Sequence, residues 1–135
     1  MSATMIFVNL PVTNLDASVQ FYTSLGFTKN SQFSDETAAC MVVSETISVM
    51  ILTHDKWHTF TTRPIPSQES SEVMLCVSCD SKDAVDVMNE AAAANGGTAD
   101  INPKNDLGFM YSRAFADPDG HVWEPMWMDM AAAQE

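Results

Sequence analysis

One carboxylate stands out because of the residues that surround it. Glu124 belongs to the run from His121 to Met128, whose residue types predict a β-strand. Side chains alternate between the two faces of a strand, so Glu124 shares a face with Val122, Met126 and Met128. An ionised carboxylate in an apolar row needs a cation, a hydrogen-bond donor or water. Glu124 is therefore the first candidate for a catalytic residue, and the alternative is that it is solvated at an open end of the strand.

Methionines and a tyrosine close to Glu124 predict an adaptable ligand-binding surface. The chain has ten methionines, and Met110 and Met126 lie in the two runs that flank the turn before Glu124. Methionine is unbranched and polarisable, so it fits ligands of varied shape, although it also fills irregular cores. Tyr111 is predicted to offer its phenol to the ligand, with ordinary packing as the alternative.

Two other groups of residues have spacings that metal sites use. His54 and His58 would share one side of a helix, but the segment shows no helical period and no third ligand is nearby. They are predicted to be exposed loop residues. Cys76 and Cys79 have the spacing of a metal or redox pair, yet a strand points them to opposite faces and no second pair exists. The three cysteines are predicted to be reduced and buried.

The elements that position these side chains repeat along the chain. Residue patterns predict a strand, a helix and three further strands in each half, within about residues 5–60 and 72–130. Two such βαβββ units predict one α+β domain over residues 1–135, with a cupped eight-stranded mixed sheet and the helices outside. A doubly wound sheet would need more helix. The segment 53–71 is rich in Thr, Ser and Pro and is predicted to be a long connecting loop.

A tight turn links the last two predicted strands. Asp117-Pro118-Asp119-Gly120 places Pro118 where its fixed φ suits the first central position of a turn. Gly120 then allows a left-handed conformation at the exit.

The composition excludes several classes of partner. Eighteen acidic and six basic residues give the 135-residue chain a net charge of −12. Such a charge repels nucleic acids and anionic membrane surfaces. The sequence shows no apolar run long enough to cross a bilayer and no signal-peptide pattern, so a cytoplasmic location is expected.

Two phrases of the sequence resemble a known superfamily. NLPVTNLDASVQFYTSLGF, residues 9–27, and FADPDGHVWEPMWMD, residues 115–129, are similar to the two signature stretches of the vicinal oxygen chelate superfamily. That superfamily contains glyoxalase I, bleomycin-resistance proteins and extradiol dioxygenases. The resemblance implies the same paired βαβββ fold, and it extends over residues 6–129.

The resemblance also implies where a metal would bind. Family enzymes hold one divalent ion with a ligand from the first and last strands of each half, and these positions fall on Phe7, Ile51, Glu72 and Glu124. Phe and Ile have no lone pair to donate, so Phe7 and Ile51 are expected to line a ligand site instead. Glu72 and Glu124, with water, suit a weakly bound hard ion such as Mg²⁺.

The resemblance further implies that two aromatic side chains contact the ligand. Trp57 and Phe60 resemble an aromatic pair that related proteins carry in the same segment, over the bound molecule. Ordinary packing under a long loop is the alternative.

These observations lead to two hypotheses of function. The first is a binding protein with a degenerate metal site that takes a small, partly apolar ligand, with no cofactor apart from a weakly bound divalent ion. The second is a metal-dependent lyase or isomerase, similar to lactoylglutathione lyase, in which Glu124 is a ligand or a base. A homodimer is expected in either case, because single-chain relatives commonly pair and the strand WEPMWMDM is rich in apolar residues.

Overall fold

A computed structural model of the chain describes residues 3–133, so the outermost residues of the predicted 1–135 domain lie outside the described part. The chain divides into two compact units, with the boundary between Ser67 and Gln68. The elements of the first unit are β1 (Ile6–Val12), α1 (Leu15–Ser24), β2 (Thr28–Asn30), β3 (Ala38–Val42), β4 (Ile47–Thr53) and α2 (His54–Phe60). Those of the second are β5 (Met74–Ser78), α3 (Lys82–Ala94), β6 (Thr98–Ala99), β7 (Asn105–Asp106), β8 (Met110–Ser112), β9 (Phe115–Ala116), β10 (Val122–Met128) and α4 (Met130–Ala133).

The first unit contains a four-stranded sheet in the order β1-β4-β3-β2. β1 and β4 pair in parallel, whereas the other two pairs are antiparallel. Helix α1 packs on β3 and β4. It begins at Asn14, whose side chain accepts a hydrogen bond from the Ala17 N–H, as N-cap residues do. The aromatic pair Phe21 and Tyr22 is fully buried and anchors this helix.

The second unit repeats this arrangement with shorter strands. β5 and β10 pair in parallel, and β8 and β9 lie antiparallel to β10 on its other side. β7 and β6 then extend the sheet beyond β8 and β9, respectively. Both units therefore have the βαβββ topology that the repeat predicted, and the α+β class is confirmed. The sequence predicted eight strands, and the described residues form ten, because one predicted strand is divided into β8 and β9 and because β7 was not predicted.

Pro125 explains the division of that strand. The sequence predicted a single run from Met110 to Phe115, but β8 ends at Ser112 and β9 begins at Phe115. The pairing register with β10 is the same on both sides of the interruption. Arg113 lies opposite Pro125 and donates its N–H to the Pro125 carbonyl at 3.2 Å. Proline has no N–H to return the second bond of that pair, so the ladder is interrupted without a change of register.

Helix α2 corrects the prediction of a continuous loop over residues 53–71. Thr53 caps it, accepting a hydrogen bond from the Lys56 N–H at 3.2 Å. The helix has seven residues, which is too short for a hydrophobic period to be visible in the sequence. His54 and His58 therefore lie on one side of a helix, contrary to the loop prediction.

The turn before β10 has the predicted conformation. Gly120 has φ = +86°, and its N–H donates to the Asp117 carbonyl at 3.0 Å. The Asp117 carboxylate accepts from the backbone N–H groups of Asp119 and His121. Across residues 3–133, none of the helices has the length and apolar character required to span a membrane.

Candidate functional site

Glu124 lies in the middle of β10, on a sheet face that also carries side chains of β5 and β8. Its partner on β5 is Cys76, and the register with β8 and β9 places Ala114 opposite it on the other side. The Glu124 side chain is half-buried, and within residues 3–133 its carboxylate has no hydrogen bond or salt bridge. It is neither fully solvated nor neutralised by a neighbour in that part of the chain, so it is available to a ligand.

Sulfur-containing side chains surround Glu124 on the same face. The alternation of strand side chains, together with the register, places five of them there: Met74, Cys76, Met110, Met126 and Met128. We call these five residues with Glu124 the Glu124 face. Met110 and Met126, both predicted to bind ligand, are thus brought together with Glu124.

Cys76 differs from the buried thiol that the sequence predicted, because its side chain is exposed. Cys40 is buried as predicted, and Cys79 is intermediate. Partial burial, together with the negative charge of Glu124, raises the pKa of the Cys76 thiol. Cys76 therefore behaves as a neutral, polarisable side chain at neutral pH.

Glu72 does not lie in a regular strand. It is an exposed residue two positions before the start of β5. The four positions that the resemblance implies for a divalent ion are Phe7 and Ile51, which carry no donor atom, Glu72, which is exposed, and Glu124. Within residues 3–133 there is no group of three or more His, Cys, Asp or Glu side chains that could hold a metal ion. This donor set does not fit the three or four protein ligands of a catalytic zinc or nickel site.

Tyr111 faces away from Glu124, and the contact of its phenol with a ligand stays a prediction. It pairs with Trp127, and both side chains point to the face that is opposite to Glu124. Its hydroxyl donates to Asp86 Oδ1 on α3 at 2.6 Å, and this hydrogen bond raises the pKa of Tyr111. The Tyr111 hydroxyl thus donates its hydrogen bond within the protein, to Asp86.

Sequence reasoning missed an ionic cluster around Arg113. The Arg113 guanidinium binds Asp100 through Nε–Oδ1 and Nη2–Oδ2 contacts of 2.9 and 2.7 Å, and Asp86 through an Nη1–Oδ1 contact of 2.8 Å. Glu90 lies 3.8 Å from the same guanidinium. Strand alternation places Arg113 on the same face as Tyr111, and this much could be predicted. The acidic residues that Arg113 binds lie on α3 and in the loop after it, far away in sequence, so the pairing could not be predicted.

An open groove of about 480 Å³ is lined by Arg113, Asp86 and Asp100 of this cluster and by Ile101, Asn102, Pro103, Lys104 and Tyr111. Hydrogen bonds from Tyr111 and then Arg113 hold the pKa of Asp86 below its ordinary value. Arg113 lowers the pKa of Asp100 in the same way, and the two carboxylates raise that of Arg113. Because all three groups neutralise one another, the cluster has the character of a structural ion pair rather than a free binding group.

Phe7 and Ile51 do not share a face of the first sheet. Phe7 pairs with Ser48, and Ile51 pairs with Leu10, so their side chains point in opposite directions. Phe7 is 54% exposed, whereas Ile51 is completely buried. Met50, next to Ile51, shares the Phe7 face and is partly exposed. The structure thus brings Met50, and not Ile51, to the side where Phe7 lies.

Trp57 and Phe60 both lie on α2 and differ in exposure. Phe60 is 60% exposed, and Lys56 Nζ lies 5.4 Å from the centre of its ring. Trp57 is half-buried, and its indole Nε1 is a buried atom that has no hydrogen-bond partner in the described part of the chain. A buried indole N–H usually has an acceptor, so Trp57 has unused capacity for one hydrogen bond.

Comparison with known proteins identifies similar sequences and folds. Residues 4–124 match the sequence model of the glyoxalase/bleomycin resistance protein/dioxygenase superfamily. No curated protein is detectably similar in sequence. The solved structure of hypothetical protein SA1046 from S. aureus is 25% identical, with a TM-score of 0.78 over 94% of this chain and 95% of that one.

Two further solved structures share the fold at lower identity. A glyoxalase-related enzyme from Fulvimarina pelagi is 18% identical, with a TM-score of 0.77 over 91% of this chain and 86% of that one. The genomically encoded fosfomycin resistance protein FosX from Listeria monocytogenes is 17% identical, with a TM-score of 0.69 over 94% and 92%. At these identities the similarity shows the fold alone.

Proposed function

From the premise that this chain belongs to the glyoxalase/bleomycin resistance protein/dioxygenase superfamily, we propose that it is a small-molecule-binding protein with a degenerate metal site. The ligand is small and partly apolar, and it contacts the Glu124 face. The observation that carries this proposal is the unpaired, half-buried Glu124 carboxylate among five sulfur-containing side chains. A polarisable lining with one charged group is typical of a pocket that accepts ligands of varied shape.

The binding function is tested with the neutral fluorescent dye Nile red on protein treated with a chelator. Met126→Gln places a polar amide on the Glu124 face and is expected to weaken dye binding several-fold. Val87→Gln makes a similar change on the exposed surface of α3, where Val87 is 66% exposed, and is expected to have no effect. Equal dye binding by both variants and the wild type would contradict the proposal.

The second candidate function is a metal-dependent lyase or isomerase in which Glu124 is a metal ligand or a base. The same unpaired carboxylate favours it, because a base must have an oxygen free to receive a proton. Calorimetric titration with Mg²⁺, Mn²⁺, Ni²⁺ and Zn²⁺ distinguishes the two candidates. Tight binding by the wild type that Glu124→Gln abolishes would support the lyase and contradict the degenerate metal site.

A further inference from the structure

The charges of the second unit are divided between the two faces of its sheet. The unit has three Lys or Arg residues, Lys82, Lys104 and Arg113. Lys82 Nζ lies 5.8 Å from the centre of the Tyr111 ring and 5.6 Å from that of Trp127, and Lys104 Nζ lies 5.7 Å from the Tyr111 ring. Tyr111 and Trp127 point away from Glu124, so both lysines lie on the opposite side of the sheet.

Arg113 is on that opposite side as well, and Asp86 and Asp100 neutralise it. No Lys or Arg of the second unit therefore reaches the Glu124 face. An unpaired carboxylate in a partly desolvated, polarisable surrounding attracts a cation more strongly than it would in water. The same charge repels an anion, and the net charge of −12 adds to both effects.

We infer that the ligand of the Glu124 face is an organic cation: an ammonium or similar group that pairs with Glu124, attached to an apolar body that contacts Met74 and Met126. This inference rests on the proposed function, since it names the charge class of the ligand bound there. Methionine thioethers contact an apolar or aromatic body favourably, because sulfur is polarisable. Fully anionic ligands, such as phosphonates or carboxylates, find no cationic side chain of this unit on the face.

The test uses three probes with the same apolar body: phenylbutylamine, phenylbutanol and phenylbutyrate. At neutral pH they are a cation, a neutral alcohol and an anion. Binding is followed through the methyl resonances of protein labelled with ¹³C-methyl methionine, so the same titration shows affinity and location. Shifts are expected at Met74 and Met126, and none at Met41, which is completely buried in the first unit. The cation is expected to bind about fivefold more tightly than the alcohol, and the anion least tightly.

Three variants separate the charge of Glu124 from the charge of the whole protein. Glu124→Gln is expected to remove the preference for the cation while the affinity for phenylbutanol stays the same. Glu124→Asp, which retains the charge, is expected to keep the preference. Glu45→Gln removes one negative charge, as Glu124→Gln does, but at an exposed position between β3 and β4. It is expected to leave the preference for the cation unchanged.

The outcomes distinguish this inference from the function on which it rests. If phenylbutanol shifts Met74 and Met126 but the amine binds no more tightly, the cation inference is overturned and the binding function stands. A preference that survives Glu124→Gln would also overturn it, because the net charge would then be the cause. If no probe shifts any methionine of the Glu124 face, both the inference and the binding function are overturned.

Discussion

At the scale of single residues, Arg113 connects parts of the second unit that are distant in sequence. Its side chain is 15% exposed and binds one acid on α3, Asp86, and one in the following loop, Asp100. Asp100 has φ = +54°, a conformation that few residues other than glycine adopt. The Arg113 fork and the Asn89 amide, which donates to Asp100 Oδ1 at 3.2 Å, hold Asp100 in place. Such ion pairs tie the helix to the strands more firmly than a surface pair would.

We expect Arg113→Met to destabilise the second unit. The substitution keeps much of the apolar stem but leaves Asp86 and Asp100 without their cation. The loss of these charge-assisted hydrogen bonds is expected to lower the free energy of unfolding by about 1–3 kcal/mol. Urea denaturation measures the change, and Lys29→Met serves as the control on another unit. An equal midpoint for Arg113→Met and the wild type would contradict the stabilising role of the cluster.

The pKa of Asp100 predicts how this stabilisation depends on pH. Hydrogen bonds from Arg113 lower the pKa of Asp100 in the folded protein, so the ionised form stabilises the fold. That contribution is complete above the unfolded pKa, roughly 3.9, and is lost as the pH falls through the lower folded value. Asp100→Asn is therefore expected to be less stable than the wild type at neutral pH, with the difference shrinking below about pH 4. Urea midpoints across this range measure it, and a difference independent of pH would contradict the assignment.

Some of these residue properties follow from the sequence and others do not. The common face of Glu124, Met126 and Met128 follows from strand alternation alone, and the structure agrees with the prediction. The hydrogen bond from Tyr111 to Asp86 could not be predicted, because the position of Asp86 depends on how α3 packs on the sheet. Ile51 was assigned from motif spacing, and an error of one residue in a strand reverses the direction of the side chain.

At the scale of secondary-structure elements, the turn before β10 packs closely against Gln68, the residue after Ser67. Gln68 Nε2 donates to Asp119 Oδ1 at 3.1 Å. A Cβ atom added to Gly120 would overlap the carbonyl oxygen of Gln68. Gly120 is therefore required for its positive φ and also for the close approach of the Gln68 backbone. The sequence predicted the first reason, whereas the second depends on a contact 52 residues away in the chain.

A pair of glycine substitutions separates these two reasons. Gly108 has φ = +84°, close to the +86° of Gly120, but an added Cβ would meet nothing within 4 Å. Gly108→Ala is expected to cost about 1 kcal/mol of unfolding free energy through its backbone conformation alone. Gly120→Ala is expected to cost clearly more, because the Gln68 backbone must also move. Thermal unfolding compares the variants, and equal losses would show that Gln68 moves aside freely.

The cap of α2 is a second feature of this scale. Thr53→Ala removes the hydroxyl that accepts from the Lys56 N–H, and N-caps of this type contribute about 1 kcal/mol. The variant is expected to speed amide hydrogen exchange at Lys56 and Trp57, whereas Thr53→Ser retains the cap and the slow exchange. Unchanged exchange in Thr53→Ala would show that packing alone maintains the helix. Thr53 is a residue type that often caps helices, so the sequence does contain this indication of a helix. The Thr- and Pro-rich residues that follow α2 favoured a loop prediction instead.

At the scale of the whole molecule, the predicted interface segment WEPMWMDM is partly covered, and Met130 at its end is 63% exposed. The predicted interface strand, β10, has neighbours on both sides, and Trp123 is 2% exposed. Large apolar side chains are exposed on β1 and β5, which are edge strands of their sheets in residues 3–133. They include Ile6, Phe7 and Met74. Exposed apolar edges of this kind favour pairing with another chain.

The homodimer therefore remains a prediction, to which the exposed residues of β1 and β5 add support. Sedimentation at micromolar concentration is expected to give twice the chain mass of 14.8 kDa. Phe7→Lys places a charge on the exposed part of β1 and is expected to increase the monomer fraction. Val87→Lys, at an exposed position of α3, is the control. A wild-type protein that sediments as a monomer would contradict the prediction.

The position of Gln68 determines where the chain tolerates extra length. Residues 61–67 form no helix or strand, whereas Gln68 is held against the turn at Asp119 and Gly120. A peptide tag or a short flexible insert placed between Pro64 and Pro66, which lie in no helix or strand, is expected to leave the contacts of Gln68 in place. The same insert placed at Gln68 would disrupt its contacts with Asp119 and Gly120. The segment just before Gln68 is thus a suitable attachment point, whereas Gln68 itself must keep its position against the turn.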